Sequence, residues 1–242
     1  EQTLKTKVWQ RVVIIAIAIL LLGATIMTYL FVVIGSNNGV ANNDQSATDQ
    51  KIAELTEAYD TKQAELLAAA KPLSEQYFPT LKQYRSEVKA YNEAAATADV
   101  LKTTDLLEGT GKTLAEGNTN YLAYYIGWCA DGSIFQSSFI NDQGKEDNES
   151  PVALGAPLDP SGGTIEGWMQ GVIGMKLGGV RQITMSGDLA YGSTRSICGG
   201  YNKPLKFIVM AIPREGNENI VKLSTELQDI WLQMYRAYYG AA

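Results

Sequence analysis

The sequence contains no histidine. That absence removes imidazole bases, imidazole metal ligands and serine-type triads from the chemistry open to it. Cysteine is almost missing too, with Cys129 and Cys198 the only two in 242 residues. Basic residues are outnumbered, 20 Lys and Arg against 26 Asp and Glu, for a net charge of -6. Nothing in that balance points to nucleic acid as a partner. The acids and amides between Phe139 and Ser150 lack the spacing of a metal-binding loop, so that segment reads as a polar loop and no metal is expected. There is no initiating Met, which reads as a processed or trimmed product.

Long apolar runs are rare, and the one present stands out. Val12–Ile34 is 23 residues without a charge. As a helix it spans about 35 Å, enough for a bilayer core of about 30 Å. A secretory signal would carry a shorter apolar stretch, roughly 7–15 residues. The run therefore reads as a transmembrane helix. Lys5, Lys7 and Arg11 precede it, and Gly35–Asn43 carries no charge. This asymmetry places the tail 1–11 in the cytoplasm and the rest of the chain outside it.

A short polar linker and a helical stalk are expected over 35–98. Ala, Glu, Gln, Lys and Leu dominate from about Asp44 to Ala70, with Ile52, Leu55, Tyr59 and Leu66 on a rough heptad. Pro72 and Pro79 then break the helix, and Thr80 with Gln83 reads as the capping box of a second one carrying Leu81, Tyr84, Val88, Tyr91 and Ala95. The two stripes fit a hairpin, an extended stalk or a coiled-coil dimer. After Pro213 a polar break leads to a last amphipathic helix within 214–242. Its face holds Leu223, Leu227, Ile230, Trp231, Met234, Tyr235 and Tyr238, with Thr225 and Gln228 as the cap and Gly240 as the stop. It either packs on the rest of the chain or docks another protein. It is too polar, and too short of basic residues, to lie along a membrane surface.

The region 99–213 carries most of the information. Tyr121–Trp128 mixes aromatic and β-favouring residues, Asp131-Gly132 is a turn signal, and a second alternating segment follows. Trp168, Val172 and Met175 are spaced for a short helix with one buried face, which Gly178-Gly179 would end. Val180–Met185 and Leu205–Val209 read as strands. In this order stand Tyr125-x-Gly127, Asp131-Gly132-x-x-Phe135-x-Ser137-Ser138, Gly167-Trp168-x-x-Gly171-Val172, Met175-x-x-Gly178-Gly179 and Leu189-Ala190-Tyr191-Gly192. Asp105–Gly111 matches an opening strand and turn. Six motifs in order resemble the FKBP-type peptidyl-prolyl cis-trans isomerases, over roughly Val100–Pro213.

The resemblance implies an α+β fold, an FKBP-like antiparallel sheet of about five strands wrapped on a short helix. It also implies a proline pocket. Trp168 is its floor, and Tyr125, Phe135, Ile165 and Phe207 are its walls. The Ile165 N–H and the Tyr191 hydroxyl hold substrate carbonyls. Where family members often have Asp, this chain has Gln136, which keeps a hydrogen-bonding group and loses the charge. Ser193–Lys203 lacks the family's usual apolar pair and has Gly199-Gly200-Tyr201 instead. Rotation about an Xaa-Pro bond, with a barrier of about 20 kcal/mol, needs no acid, base, metal or cofactor. The implied role is folding of exported or membrane proteins, with proline-containing polypeptides as clients. The alternative is a non-catalytic chaperone or scaffold on the same fold, working through its helices. Outside the cytoplasm a Cys129–Cys198 disulfide is permitted, and spacing alone does not decide it.

Overall fold

A computed structural model describes residues 43–117, 120–140 and 153–239. The expected tail, the transmembrane helix Val12–Ile34, the linker before Asn43, the segment 141–150 and the stop at Gly240 lie outside those residues. Among the described residues no helix is long and apolar enough to cross a membrane. The chain divides into two compact units. One is the helical sequence before Ala70 together with the residues from Asn219, and the other is Ala70–Glu218.

The second unit is built on a five-stranded antiparallel sheet in the order β1-β4-β5-β2-β3. The strands are β1 (Leu101–Leu107), β2 (Tyr121–Trp128), β3 (Ile134–Ser137), β4 (Val180–Met185) and β5 (Leu205–Pro213). On one face, Tyr121, Ala123 and Tyr125 of β2, Ile183 and Met185 of β4, and Leu205, Phe207 and Val209 of β5 enclose Trp168, Val172 and Met175. Those three belong to, or follow, the short helix Glu166–Gly171. The helix lies tight on the sheet because it has no side chain where it touches. A Cβ on Gly171 would come within 2.7 Å of Ile183 Cγ2. This is the expected wrap of sheet on helix. The helix is shorter than expected, however. It ends at Gly171, and Gly178-Gly179 forms the turn into β4 instead of a helix stop.

The other face of the sheet is not solvated, as an antiparallel sheet permits it to be. β2 is buried at every position, and Leu122, Tyr124, Ile126, Ile208, Met210 and Ile212 are as inaccessible as the inner core. Part of the expected stalk packs against this side of the unit. Within this unit Tyr77 packs on Tyr124 at 6.4 Å and Phe78 meets Phe139 edge-on at 5.8 Å. The Ser74 hydroxyl accepts the Leu154 N–H at 2.8 Å. Downstream, the Trp128 indole donates to the Lys89 carbonyl (3.1 Å), and the Tyr91 hydroxyl donates to the Pro204 carbonyl (2.8 Å). Residues 70–98 thus belong with the sheet, and not with a separate stalk.

Several expectations about the helices fail. Pro72 and Pro79 do not break the chain into two helices. Both lie inside α1 (Asn43–Gln83). Each removes one hydrogen bond to the carbonyl four residues earlier, on Ala68 and Glu75. Those residues and both prolines are exposed, so water satisfies the freed carbonyls. On the opposite side of the same turns Ser74 and Leu81 are buried. Burial of a side chain as large as Leu contributes about 1.5–3 kcal/mol, comparable to the roughly 3 kcal/mol that an interior proline costs. Thr80 therefore lies in the last turn of α1, not at a helix start, and Gln83 donates back to the Pro79 carbonyl. Past Tyr84 the expected second helix is replaced by a 3₁₀ turn (Arg85–Glu87), an extended stretch and α2 (Glu93–Ala98), which Asn92 caps. With the Glu166–Gly171 helix as α3, the last helix is α4 (Glu218–Tyr239). It starts earlier than expected, and Thr225 bonds the Val221 carbonyl instead of capping.

In the first unit, α1 before Ala70 buries Ile52, Leu55, Tyr59 and Leu66, while α4 buries Ile220, Leu223, Leu227 and Met234. Lys62 bridges Glu65 (2.7 Å) and Glu226 (3.0 Å), joining the two helices. The hydrogen bond from Lys62 holds the Glu226 carboxyl below its ordinary range. Within a single chain, then, the amphipathic faces of α1 and α4 belong to one unit.

Candidate functional site

Four aromatic rings meet on the inner face of the sheet. Tyr125 stands edge-on to Trp168 at 5.2 Å and 6.4 Å from Phe207. Phe207 is itself edge-on to Trp168 and to Phe135, each at 5.5 Å. Edge-to-face contacts suit the ring quadrupoles and fix each ring against its neighbours. Trp168, Tyr125, Phe207 and Ile165 are buried, whereas Phe135 and Tyr191 are half-buried and pack against the same cluster. All the residues expected to form a proline pocket are therefore brought together around one closed base and one more open side.

The backbone explains how. Tyr125 and Gly127 are two apart on β2, so they share a face. A Cβ on Gly127 would fall 2.7 Å from both the Phe135 and the Phe207 rings, so only glycine leaves them room. β3 carries a bulge. Ile134 pairs with Trp128 and Gln136 with Gly127, which leaves Phe135 as the extra residue. A bulge breaks the strict alternation of faces. Gln136, paired with Gly127, lies on the same face as Phe135, toward the rings. Ile165 is the N-cap of α3, with extended backbone, so its N–H lies outside the helical ladder.

Several supporting residues carry no signal in the sequence. The Trp168 indole N–H donates to the Tyr121 hydroxyl at 3.0 Å, wholly within the core. Burial pushes the Tyr121 phenol up to about 12, partly offset by that hydrogen bond. Arg181 is buried and pairs with Asp105 through two nitrogens (2.6 and 3.1 Å). It also donates to the carbonyls of Gly171 and Ile173 (3.0 and 2.8 Å), fastening the end of the helix that carries Trp168. Arg195 lies over the Tyr191 ring, 5.1 Å from its centroid. Cys129 and Cys198 are joined in a disulfide with Cα atoms 5.5 Å apart, which ties the end of β2 to the loop that carries Tyr191 and Arg195.

The two phenols of the site are held neutral. Burial raises the Tyr125 hydroxyl well above its ordinary value, with a further push from Tyr191 and a small offset from Arg195. Tyr191 is raised by burial and partly lowered by Arg195. Both are hydrogen-bond donors throughout the physiological range. The arrangement can take a small apolar ring against aromatic walls and offer donors to carbonyl oxygens at its edge. Among the described residues, no cluster of acids and cysteines is placed to hold a metal ion.

Comparison with known proteins is consistent with this geometry. The family model described as FKBP-type peptidyl-prolyl cis-trans isomerase matches residues 111–212. The FK506-binding protein of Neisseria meningitidis serogroup B is 34% identical over 89 residues, which cover 37% of this chain and 72% of that protein. The peptidyl-prolyl cis-trans isomerase Mip of Chlamydia pneumoniae is 31% identical over 192 residues, 74% of this chain and 69% of that protein. Its counterpart in Chlamydia muridarum is 30% identical over 170 residues, covering 62% of this chain and just 65% of the relative's own length. The two Mip alignments are longer than the family match, so the similarity extends into the flanking helical sequence.

Proposed function

The chain belongs to the FKBP-type peptidyl-prolyl cis-trans isomerases, and on that premise we propose that it turns Xaa-Pro bonds of polypeptide clients in the aromatic box around Trp168. The observation that carries the reading is the set of edge-on contacts among Tyr125, Phe135, Trp168 and Phe207, with Tyr191 and Gln136 at the more open side.

Catalysis here is selective binding of a twisted amide. As the bond rotates, resonance is lost and the carbonyl oxygen gives up part of its negative charge. A dry aromatic cavity suits that less polar state better than water does. Trp168 takes the flat of the proline ring, and Tyr125, Phe135, Ile165 and Phe207 close around it. The Ile165 N–H and the Tyr191 hydroxyl orient substrate carbonyls. Gln136 adds a neutral amide to the rim. No proton changes hands and no covalent bond is made.

The membrane context is part of the proposal. The uncharged run Val12–Ile34, with Lys5, Lys7 and Arg11 before it, supports a single-pass anchor with the isomerase domain outside the cytoplasm. The Cys129–Cys198 disulfide suits such a compartment. Clients would then be exported or membrane proteins. The helical unit is left to dock a partner protein or a second copy.

The test is a protease-free isomerisation assay on the full chain in detergent, followed by NMR exchange of a short Xaa-Pro peptide. The parent is expected to speed exchange. Trp168→Ala and Tyr191→Phe are each expected to reduce kcat/KM by about ten- to a hundredfold, the scale of losing a pocket wall or one oriented donor. A folded parent no faster than background would sink the reading and leave a non-catalytic binding module, with its activity in the helices.

A further inference from the structure

We propose that Arg195 makes this site selective for proline flanked by Asp or Glu, by meeting the substrate carboxylate at the rim of the aromatic box. The inference rests on the isomerase reading and adds a substrate class to it.

Arg195 sits over the face of the Tyr191 ring at 5.1 Å, beside the hydroxyl assigned to a substrate carbonyl. Its charge also reaches the buried Tyr125, since it eases the upward shift of both phenols. It is half-buried, so its field is less screened than that of a free surface cation.

Among the described residues no carboxylate answers that charge. The other arginine of the core, Arg181, is paired to Asp105, and Arg214 is paired to Asp159. Arg195 forms no ion pair among the described residues. Two carboxylates belong to elements of the site. Glu166 is exposed and accepts from Gln170 within its own helix (2.8 Å), and Asp188 is exposed on the turn Gly187–Leu189. Neither pairs with Arg195. Gln136, on the pocket face of β3, brings an amide where a charge would have neutralised the rim.

The loop that carries Arg195 is also tied down. The Tyr191–Pro204 loop is closed by Asn202 N–H donating to the Gly192 carbonyl (2.7 Å) and by Thr194 N–H donating to Tyr191 (3.0 Å). Ile197 and Gly200 exchange backbone bonds, and the disulfide through Cys198 holds the far side. A guanidinium over an aromatic ring at the site, with no acid paired to it among the described residues, has five donors arranged for a planar carboxylate. An acidic side chain next to the proline supplies that partner when the ring enters the box. A lysine there meets a like charge instead.

The experiment measures kcat/KM on the full chain with three peptides that differ only beside the proline, as Glu, Gln or Lys, at physiological salt. The flanking residue is placed before the proline in one series and after it in another. In at least one series Glu is expected to exceed Lys by about three- to tenfold, the range of a partly screened pair at a rim. Arg195→Gln should collapse that ratio toward one, and Arg195→Lys should keep most of it. Three outcomes overturn the proposal. One is equal rates for Glu and Lys in both series. Another is a ratio that survives Arg195→Gln. The third is an equal loss on all three peptides in Arg195→Gln, which would make the residue a support for Tyr191 only. Should no peptide be turned over, the isomerase reading fails. The same series is then read as peptide affinity by chemical-shift titration, where an equal Kd for Glu and Lys overturns the charge preference too.

Discussion

The Trp168 side chain is anchored by one hydrogen bond, and on the proposed isomerase reading that bond places the floor of the pocket. Its indole N–H reaches the Tyr121 hydroxyl in the core, where no water replaces a lost acceptor. Tyr121→Phe keeps the ring and its packing but strands the indole donor, at about 1–3 kcal/mol. The expected result is a lower denaturation midpoint together with a reduced kcat/KM. Tyr124→Phe serves as the control. Tyr124 is equally buried, but its hydroxyl has no hydrogen-bond partner, so removing the hydroxyl strands nothing. Equal losses in the two variants would show that the Trp168–Tyr121 bond contributes nothing particular. Arg181 acts at the same scale. A buried guanidinium is tolerated only when its donors are used, and the two Asp105 oxygens and the carbonyls of Gly171 and Ile173 use them.

Among the elements, the sheet and its inner helix were legible in the sequence, and the cover on the outer face was not. Alternation along Leu205–Val209, the Asp131-Gly132 turn and the spacing of Trp168, Val172 and Met175 are local signals, and the corresponding elements are present. That Tyr125, Phe135, Trp168 and Phe207 meet followed from motif order. What periodicity cannot report is that β2 and β5 are buried on both sides. A strand buried on both faces reads as a run of apolar residues, and the partner on its second face is far away in sequence. Tyr77, Phe78, Lys89 and Tyr91 are 39 or more residues from these partners on the sheet side. The prolines misled for a related reason, because a local penalty was weighed without the distant packing that offsets it. Arg195 and the Cys129–Cys198 bond depend on loop geometry, which no periodicity encodes. The consequence for the fold is testable. A fragment beginning at residue 99 lacks Tyr77, which packs on Tyr124, and the Lys89 and Tyr91 partners of Trp128 and Pro204, whereas one beginning at Ala70 keeps them. The shorter piece, both ending at Glu218, is expected to aggregate or bind hydrophobic dye, and the longer to elute as a compact species. A monomeric, dye-silent fragment from residue 99 would show that residues 70–98 are dispensable.

At the scale of the whole molecule, the absence of histidine and the abundance of buried phenols set one pH response. Tyr59, Tyr77, Tyr91, Tyr121, Tyr124, Tyr125 and Tyr191 are all raised above their ordinary value, chiefly by burial. A phenol whose folded pKa lies above its unfolded value of about 10 contributes stability that is complete below pH 10. That contribution is lost as pH rises through the folded values, about 12 for Tyr121. Lys62 and Lys176, raised by their hydrogen bonds to carboxylates, lose their contribution in the same direction. Lys206, lowered by burial, runs the other way, but it is a single group. On the acid side, Glu226, lowered by Lys62, and Asp131, lowered by Ser133, contribute above the ordinary carboxylate range and lose it as pH falls through their depressed values. There is no histidine to titrate near neutrality, and both cysteines are bound in the disulfide, so no thiolate adds a step near pH 8.5. The urea midpoint is therefore expected to be flat from about pH 6 to 9 and to fall steeply above about pH 10. Phenolate absorbance near 295 nm should rise together with that unfolding, because the buried hydroxyls ionise only when the core opens. A midpoint that slopes between pH 6 and 9, or phenolate signal that appears in full while the fold persists, would contradict a core closed around neutral tyrosines.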